Sequence, residues 1–287
     1  MERHRSANLL LLVLLFSFFA ALGIPFVYQR SLRIPEPERM ITADVFRTQR
    51  FSEALLEQMQ KGGDPSRITA IYLLEKNFHS QWADALKKGG SGWNELYEKR
   101  LKWWSTQENW NAYLKYCSAI WKDLKYFPIP ASADPAEETV SFTDSWMVER
   151  TFGGRRGHEG TDLMTAKDIP GYYPVVSMTD GTVVQMGWLP KGGYRIGILA
   201  PGGGYFYYAH LDSYADIEAG DTIKAGDLLG FAGNTGYGPE GTKGKFATHL
   251  HIGIYLYPNG QETSINPYWI LKYLEQTKLT YTYPRKL

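Results

Sequence analysis

The sequence predicts an α+β protein, in which a small helical region precedes a larger, mainly antiparallel β domain. Between residues 41 and 127 apolar side chains recur at helical spacing. Between 142 and 287 short runs of Val, Ile and Tyr alternate with glycine turns. The connections between those runs are too short for crossover helices, so neighbouring strands should run antiparallel. The two regions are separated by Pro128-Ile129-Pro130-Ala131-Ser132-Ala133-Asp134-Pro135-Ala136-Glu137-Glu138. That stretch is proline-rich and acidic, offers little to bury, and reads as a linker over 128–141.

At 287 residues the chain can build one sizeable domain and a smaller companion. Its formal net charge is +1, so no global field favours nucleic acid, and none is expected as a partner. The single cysteine, Cys117, can form no internal disulfide and no zinc–cysteine site, so any metal must be held by histidine and carboxylate. The aromatic content, 15%, suits a groove that grips a polymer, and equally suits ordinary packing.

Arg3 and Arg5 precede an apolar run from Leu9 to Val27, broken only by Ser17, Gly23 and Pro25. Its length matches the roughly 17–25 residues of a membrane-spanning helix. Residues 1–30 therefore read as an N-terminal transmembrane anchor or signal. The anchor reading puts the rest of the chain outside the cytoplasm. Ala21-Leu22-Gly23 also offers a small-x-small cleavage site, which would make the protein secreted.

The helical region spans 31–127. Pro35 and Pro37 make its start extended. Val45, Phe46, Leu55, Leu56 and Met59 fit one side of a helix that Gly62-Gly63 ends. Asp64-Pro65-Ser66 should start a second helix carrying Ile68, Ile71, Tyr72, Leu74 and Glu75. Gly89-Gly90-Ser91-Gly92 is a break, and Trp93–Trp104 and Thr106–Leu124 look like a further pair. The aromatic residues read as the core of a small bundle; a protein partner bound through 41–127 is the alternative use of this region. His79 is its one histidine, and it holds no catalytic constellation.

Chemistry concentrates in the β domain. Ala247-Thr248-His249-Leu250-His251-Ile252-Gly253-Ile254 reads as a strand, so His249 and His251 share a face and Leu250 turns to the other. Such a pair can furnish a metal ligand and an acid/base group. In Gly157-His158-Glu159-Gly160-Thr161-Asp162 the glycines argue against a helix, and in an extended segment His158 and Asp162 again share a face. This is not the helical His-Glu-x-x-His zinc motif, because Asp162 stands where that motif has its second histidine. Tyr208-Ala209-His210-Leu211 adds a histidine at the end of an aromatic strand. A mononuclear zinc site needs three protein ligands and an open position, which would leave two histidines for proton transfer and charge stabilisation.

Eight motifs then occur in register: Phe142-Thr143-Asp144-Ser145-Trp146, Arg156 to Asp162, Asp180-Gly181-Thr182-Val183, Tyr208 to Leu211, Ala219 to Gly230, Gly233-Asn234-Thr235-Gly236, His249-Leu250-His251 and Ile265-Asn266-Pro267. Over roughly Phe142 to Trp269 the chain resembles the lysostaphin-type, LytM-like zinc metallopeptidases that cut peptides of the bacterial cell wall. The resemblance implies a lysostaphin-like domain of the duplicated hybrid motif type over 142–287, with peptidoglycan peptide as substrate. It implies zinc held by His158, Asp162 and His251. It implies His249 as the general base for the attacking water, and His210 opposite it as the stabiliser of the oxyanion. A non-catalytic wall-binding or activator protein of the same fold is the alternative, although such proteins often lack a ligand and this chain lacks none. The chain departs from the pattern in a long segment, Tyr237–Thr248, expected at the groove rim, and in an insertion, Asp168–Tyr173.

Overall fold

Asp64 shows how the helical region is punctuated. Its carboxylate accepts from the Ser66 and Arg67 amides at 2.9 and 3.3 Å, and Pro65 takes the first helical position. The computed structural model describes residues 11–19, 33–137 and 139–283. From Pro37 the chain forms α1 (Pro37–Ile41), α2 (Asp44–Arg47), α3 (Glu53–Gln60), α4 (Pro65–Asn77), α5 (Gln81–Lys88), α6 (Trp93–Trp104) and α7 (Trp110–Trp121). α4 is the hub: Ile68 to Glu75 are all buried, and it packs against α5, α6 and α7. The helix expected around Val45–Met59 is two helices, α2 and α3. α5 is an element the sequence reading did not anticipate; Leu86 is its one buried side chain. Trp104, Trp110, Tyr113 and Trp121 are buried, so the tryptophan-rich helices supply core.

The strands are β1 (Ala131–Ser132), β2 (Val140–Ser141), β3 (Glu149–Arg150), β4 (Arg156–Gly157), β5 (Thr161–Thr165), β6 (Pro174–Val176), β7 (Gly181–Leu189), β8 (Gly193–Leu199), β9 (Tyr205–Tyr214), β10 (Thr222–Ile223), β11 (Leu228–Ala232), β12 (His249–Leu256), β13 (Thr263–Ile265) and β14 (Thr280–Tyr281). A last helix, α8 (Tyr268–Leu274), follows β13. The principal sheet has the order β10-β7-β8-β9-β12-β5-β2, with β11 pairing β9 and β6 and β13 pairing β12. All of these pairings are antiparallel, as expected. β12 lies between β9 and β5, and its inner face (Leu250, Ile252, Ile254) is fully buried. The other face carries His249 and His251.

The segment 128–141 differs from the solvated linker its composition suggests. Ile129 is fully buried, and Tyr283 donates its hydroxyl to the Pro130 carbonyl at 2.6 Å. The Ala131 amide donates to Leu279 O at 2.7 Å, and β1 pairs in parallel with β14. These partners lie some 150 residues away in sequence, so local composition carries no sign of them. The helices and the sheet also share one buried core: Trp121 packs edge-on against Phe51 and Tyr273, and the Asn266 amide donates to Arg47 O at 2.8 Å.

The expected anchor over residues 1–30 falls largely outside the described residues. The described part, 11–19, is helical and at ~1.5 Å per residue spans about half of a ~30 Å bilayer core. Among the described residues no helix is long and apolar enough to cross a membrane.

Candidate metal centre

The register between β12 and β5 makes His251 and Asp162 direct cross-strand neighbours. Side chains so placed lie close on one face, and His251 Nδ1 sits 2.9 Å from Asp162 Oδ1. His158, in the loop leading into β5, brings Nε2 to 3.1 Å from the same oxygen and to 3.1 Å from His251 Nδ1. Three ligand atoms from two strands and a loop therefore face one point. Gly160 makes the approach possible, since a Cβ there would overlap the His251 ring.

Three of the four imidazoles are oriented by their outward nitrogens. His158 Nδ1 lies 3.3 Å from the Ser145 carbonyl, which can only accept, and 3.0 Å from Ser145 Oγ. Arg150 Nη2 also approaches Nδ1, at 3.2 Å, but is committed to Asp162 Oδ2 at 2.6 Å. The proton thus belongs on Nδ1, and the Nε2 lone pair turns inward. His249 donates Nδ1–H to the Ala247 carbonyl at 2.7 Å, which leaves Nε2 as an acceptor 3.8 Å from Asp162 Oδ1. His210 donates Nδ1–H to the Thr235 carbonyl at 2.7 Å, and its ring centroid lies 4.7 Å from that of His249.

His210 adopts φ 62°, a left-handed conformation that costs a non-glycine residue about 1–3 kcal/mol. The bend re-aims its side chain into the cleft, and its amide is held by Gly192 O at 2.8 Å.

Burial pushes the pKa of His210 well below its ordinary value, with the nearby His249 and His251 adding to the effect. Burial likewise lowers His251, against the pull of Asp162. For Asp162 burial acts upward, but its close contacts with His158 and His251 outweigh it and hold the carboxyl well below the usual carboxylate range. The set is two imidazoles and one carboxylate, donors that suit zinc and leave a coordination position open.

All five sequence-derived residues converge: His158, Asp162, His210, His249 and His251 line one cleft of about 710 Å³. Ser145 lies in the motif Phe142–Trp146 but had no role assigned to it, and Arg150 lies outside every motif; both matter through what folding brings beside them. Sequence reasoning also missed an aromatic wall. Phe246 places its ring 4.6 Å from His210 and 4.9 Å from His249; Tyr237 packs against Phe246 at 4.8 Å, and Phe152 stacks on Tyr237 at 4.2 Å. Tyr237 and Phe246 belong to the long segment expected at the rim. The Asp168 insertion reaches back as well: the Thr248 amide and hydroxyl donate to Asp168 Oδ1 at 2.8 and 2.7 Å, fixing the residue just before His249.

A model of peptidase family M23 matches residues 156–267, and a model of the LytM N-terminal domain matches residues 37–123. A crystallised candidate glycyl-glycine endopeptidase, LytM, from Ruminococcus gnavus is 50% identical, with a TM-score of 0.77 over 85% of this chain and 95% of that one. The chain belongs to peptidase family M23. The M23 chain is also 40% identical over 161 residues to the L-Ala–D-Glu endopeptidase of Bacillus subtilis, covering 56% of this chain and 45% of that protein. To lysostaphin of Staphylococcus simulans it is 33% identical over 101 residues, covering 34% and 19%. It thus spans less than half the length of these curated relatives. M23 peptidases are zinc-dependent, and the His158–Asp162–His251 set fits that ion.

Proposed function

We propose that this M23 protein is a zinc metallo-endopeptidase that hydrolyses peptide bonds of bacterial peptidoglycan. The observation that carries the reading is the convergence of three ligand atoms, with two further imidazoles whose lone pairs face the same open cleft. His158, Asp162 and His251 would hold the ion, which when bound polarises a scissile carbonyl and lowers the pKa of water at the site. His249 accepts a proton at Nε2 from the attacking water, because Ala247 holds its other nitrogen protonated. His210 stands beside it, its ring centroid 4.7 Å away and its Nε2 facing the cleft; the proton that His249 takes from the water can pass to that nitrogen, which then donates to the developing oxyanion. Arg150 and Ser145 keep Asp162 and His158 aimed inward.

Peptide bonds of the wall are the substrate class supported by the names of the relatives, an L-Ala–D-Glu endopeptidase and lysostaphin. That substrate lies outside the cytoplasm, and the apolar run Leu9–Val27 suits delivery there, as an anchored or a secreted protein. Incubating the zinc-loaded full chain with peptidoglycan and identifying the released muropeptides by mass spectrometry tests the proposal. New peptide ends that vanish with a chelator are expected; release of none would refute it.

A further inference from the structure

Beyond the metal ligands the cleft wall is cationic, and that charge is not consumed within the protein. Arg156, Lys191 and Arg195 all line the cleft, and among the described residues none of them forms an ion pair. The other charged groups lining it are committed. Arg150 is held by Asp162, and Glu159 accepts from Arg47 at 3.1 Å. Glu262 accepts from the Tyr257 hydroxyl at 3.1 Å and is the remaining lining acid without a cationic partner among the described residues. Outside the ligand set the balance therefore favours positive charge, three groups to one.

Hydrogen bonding points the same way. Arg195 donates through Nη2 to Gln185 Oε1 at 3.0 Å, but its Nη1 is buried with no partner among the described residues. Arg156 Nε is likewise buried and unpartnered. Buried N–H groups are almost always satisfied, so two orphaned guanidinium nitrogens along one cleft indicate a missing acceptor. Arg195 also shares the cleft with the five site residues. It lies on β8 two residues from Gly197, which is paired with Tyr207 on β9, and the Tyr207 ring centroid is 6.0 Å from that of His251.

We infer that the cleft takes a peptide bearing a free carboxylate near its scissile bond, held by Arg195, rather than an uncharged glycine chain. The inference rests on the peptidase reading proposed above and names its substrate class. Nη1 is covered as placed and Nη2 is braced by Gln185, so the carboxylate is met as the guanidinium turns into the cleft, where its planar donors suit a carboxylate and a lysine does not reproduce them. The preference is for the charge of the peptide, and it requires no contact between Arg195 and the metal.

The test is binding to the metal-free full chain of two synthetic peptides that differ in one group, a free carboxylate or its carboxamide, with oligoglycine as a third ligand. The carboxylate peptide should bind about tenfold more tightly or better, and the gap should narrow as salt is added. Arg195→Gln should collapse the gap by weakening the carboxylate peptide alone, with circular dichroism unchanged, and Arg195→Lys should recover only part of it. Equal affinities for the pair, failure of both to bind, oligoglycine binding as tightly as the acid, or an Arg195→Gln variant that weakens both alike would overturn the inference. Because no metal is present, the outcome stands apart from hydrolysis. A retained carboxylate preference without peptidoglycan cleavage would refute the activity and leave the ligand class standing.

Discussion

Arg150 donates to Asp162 Oδ2 at 2.6 Å, on the carboxylate oxygen turned away from His158 and His251. The other oxygen, Oδ1, faces both imidazoles. A carboxylate gripped on one side presents the other in a fixed direction, so Arg150 would support an ion held by Asp162 without touching it. Arg150→Met should weaken zinc binding about 10–100-fold, read by competition with a chromophoric chelator. An unchanged affinity would show that the strands alone aim Asp162.

Ligand and proton-transfer roles separate by experiment. His158→Ala should lose both zinc and hydrolysis. His249→Ala should keep the zinc content of the wild type and lose about 10²–10⁴ in rate, the usual worth of a positioned acid/base group. His210→Ala should also keep the metal, and lose rate on the scale of an oxyanion donor, about 10²–10³. Elemental analysis beside a rate measurement distinguishes these cases; loss of zinc in His249→Ala would make His249 a ligand.

Ile129 tests whether the proline-rich segment is core. Its side chain is fully buried in the shared core, so Ile129→Ala should cost about 2–5 kcal/mol in denaturant unfolding. A loss within experimental error would return the segment to the status of a linker.

Cys117 gives a probe of the helical region. Burial pushes its thiol pKa far above the ordinary value, against a hydrogen bond with Tyr113 that lowers it. The thiolate is the reactive form, so the folded chain should resist thiol reagents at pH 7 and remain resistant at pH 9. One thiol per chain should react once denaturant opens the bundle. Rapid labelling of the native protein would show that the core around α7 opens readily.

Much of the site was legible because strand geometry has period two. His249 and His251 had to share a face, with Leu250 opposite, and they do; His158 and Asp162, four apart in an extended segment, also converge. What the sequence alone could not supply was register. That His251 stands opposite Asp162 depends on pairing β12 with β5, 89 residues away, and no local pattern encodes it. The roles of Ser145, Arg150 and Phe246 were hidden for the same reason, since single polar or aromatic residues acquire meaning only from what folding brings beside them. The 128–141 segment misled because proline and acid usually mark solvent, whereas here distant partners at 279–283 receive it.

The most direct measurement is the rate at which new amino groups appear when zinc-loaded full chain acts on purified peptidoglycan, with His249→Ala of equal zinc content alongside. Steady release by the wild type, at least about a hundredfold slower in the variant, is the predicted result. Equal rates in the two proteins, or intact peptidoglycan with the wild type fully loaded, would contradict it.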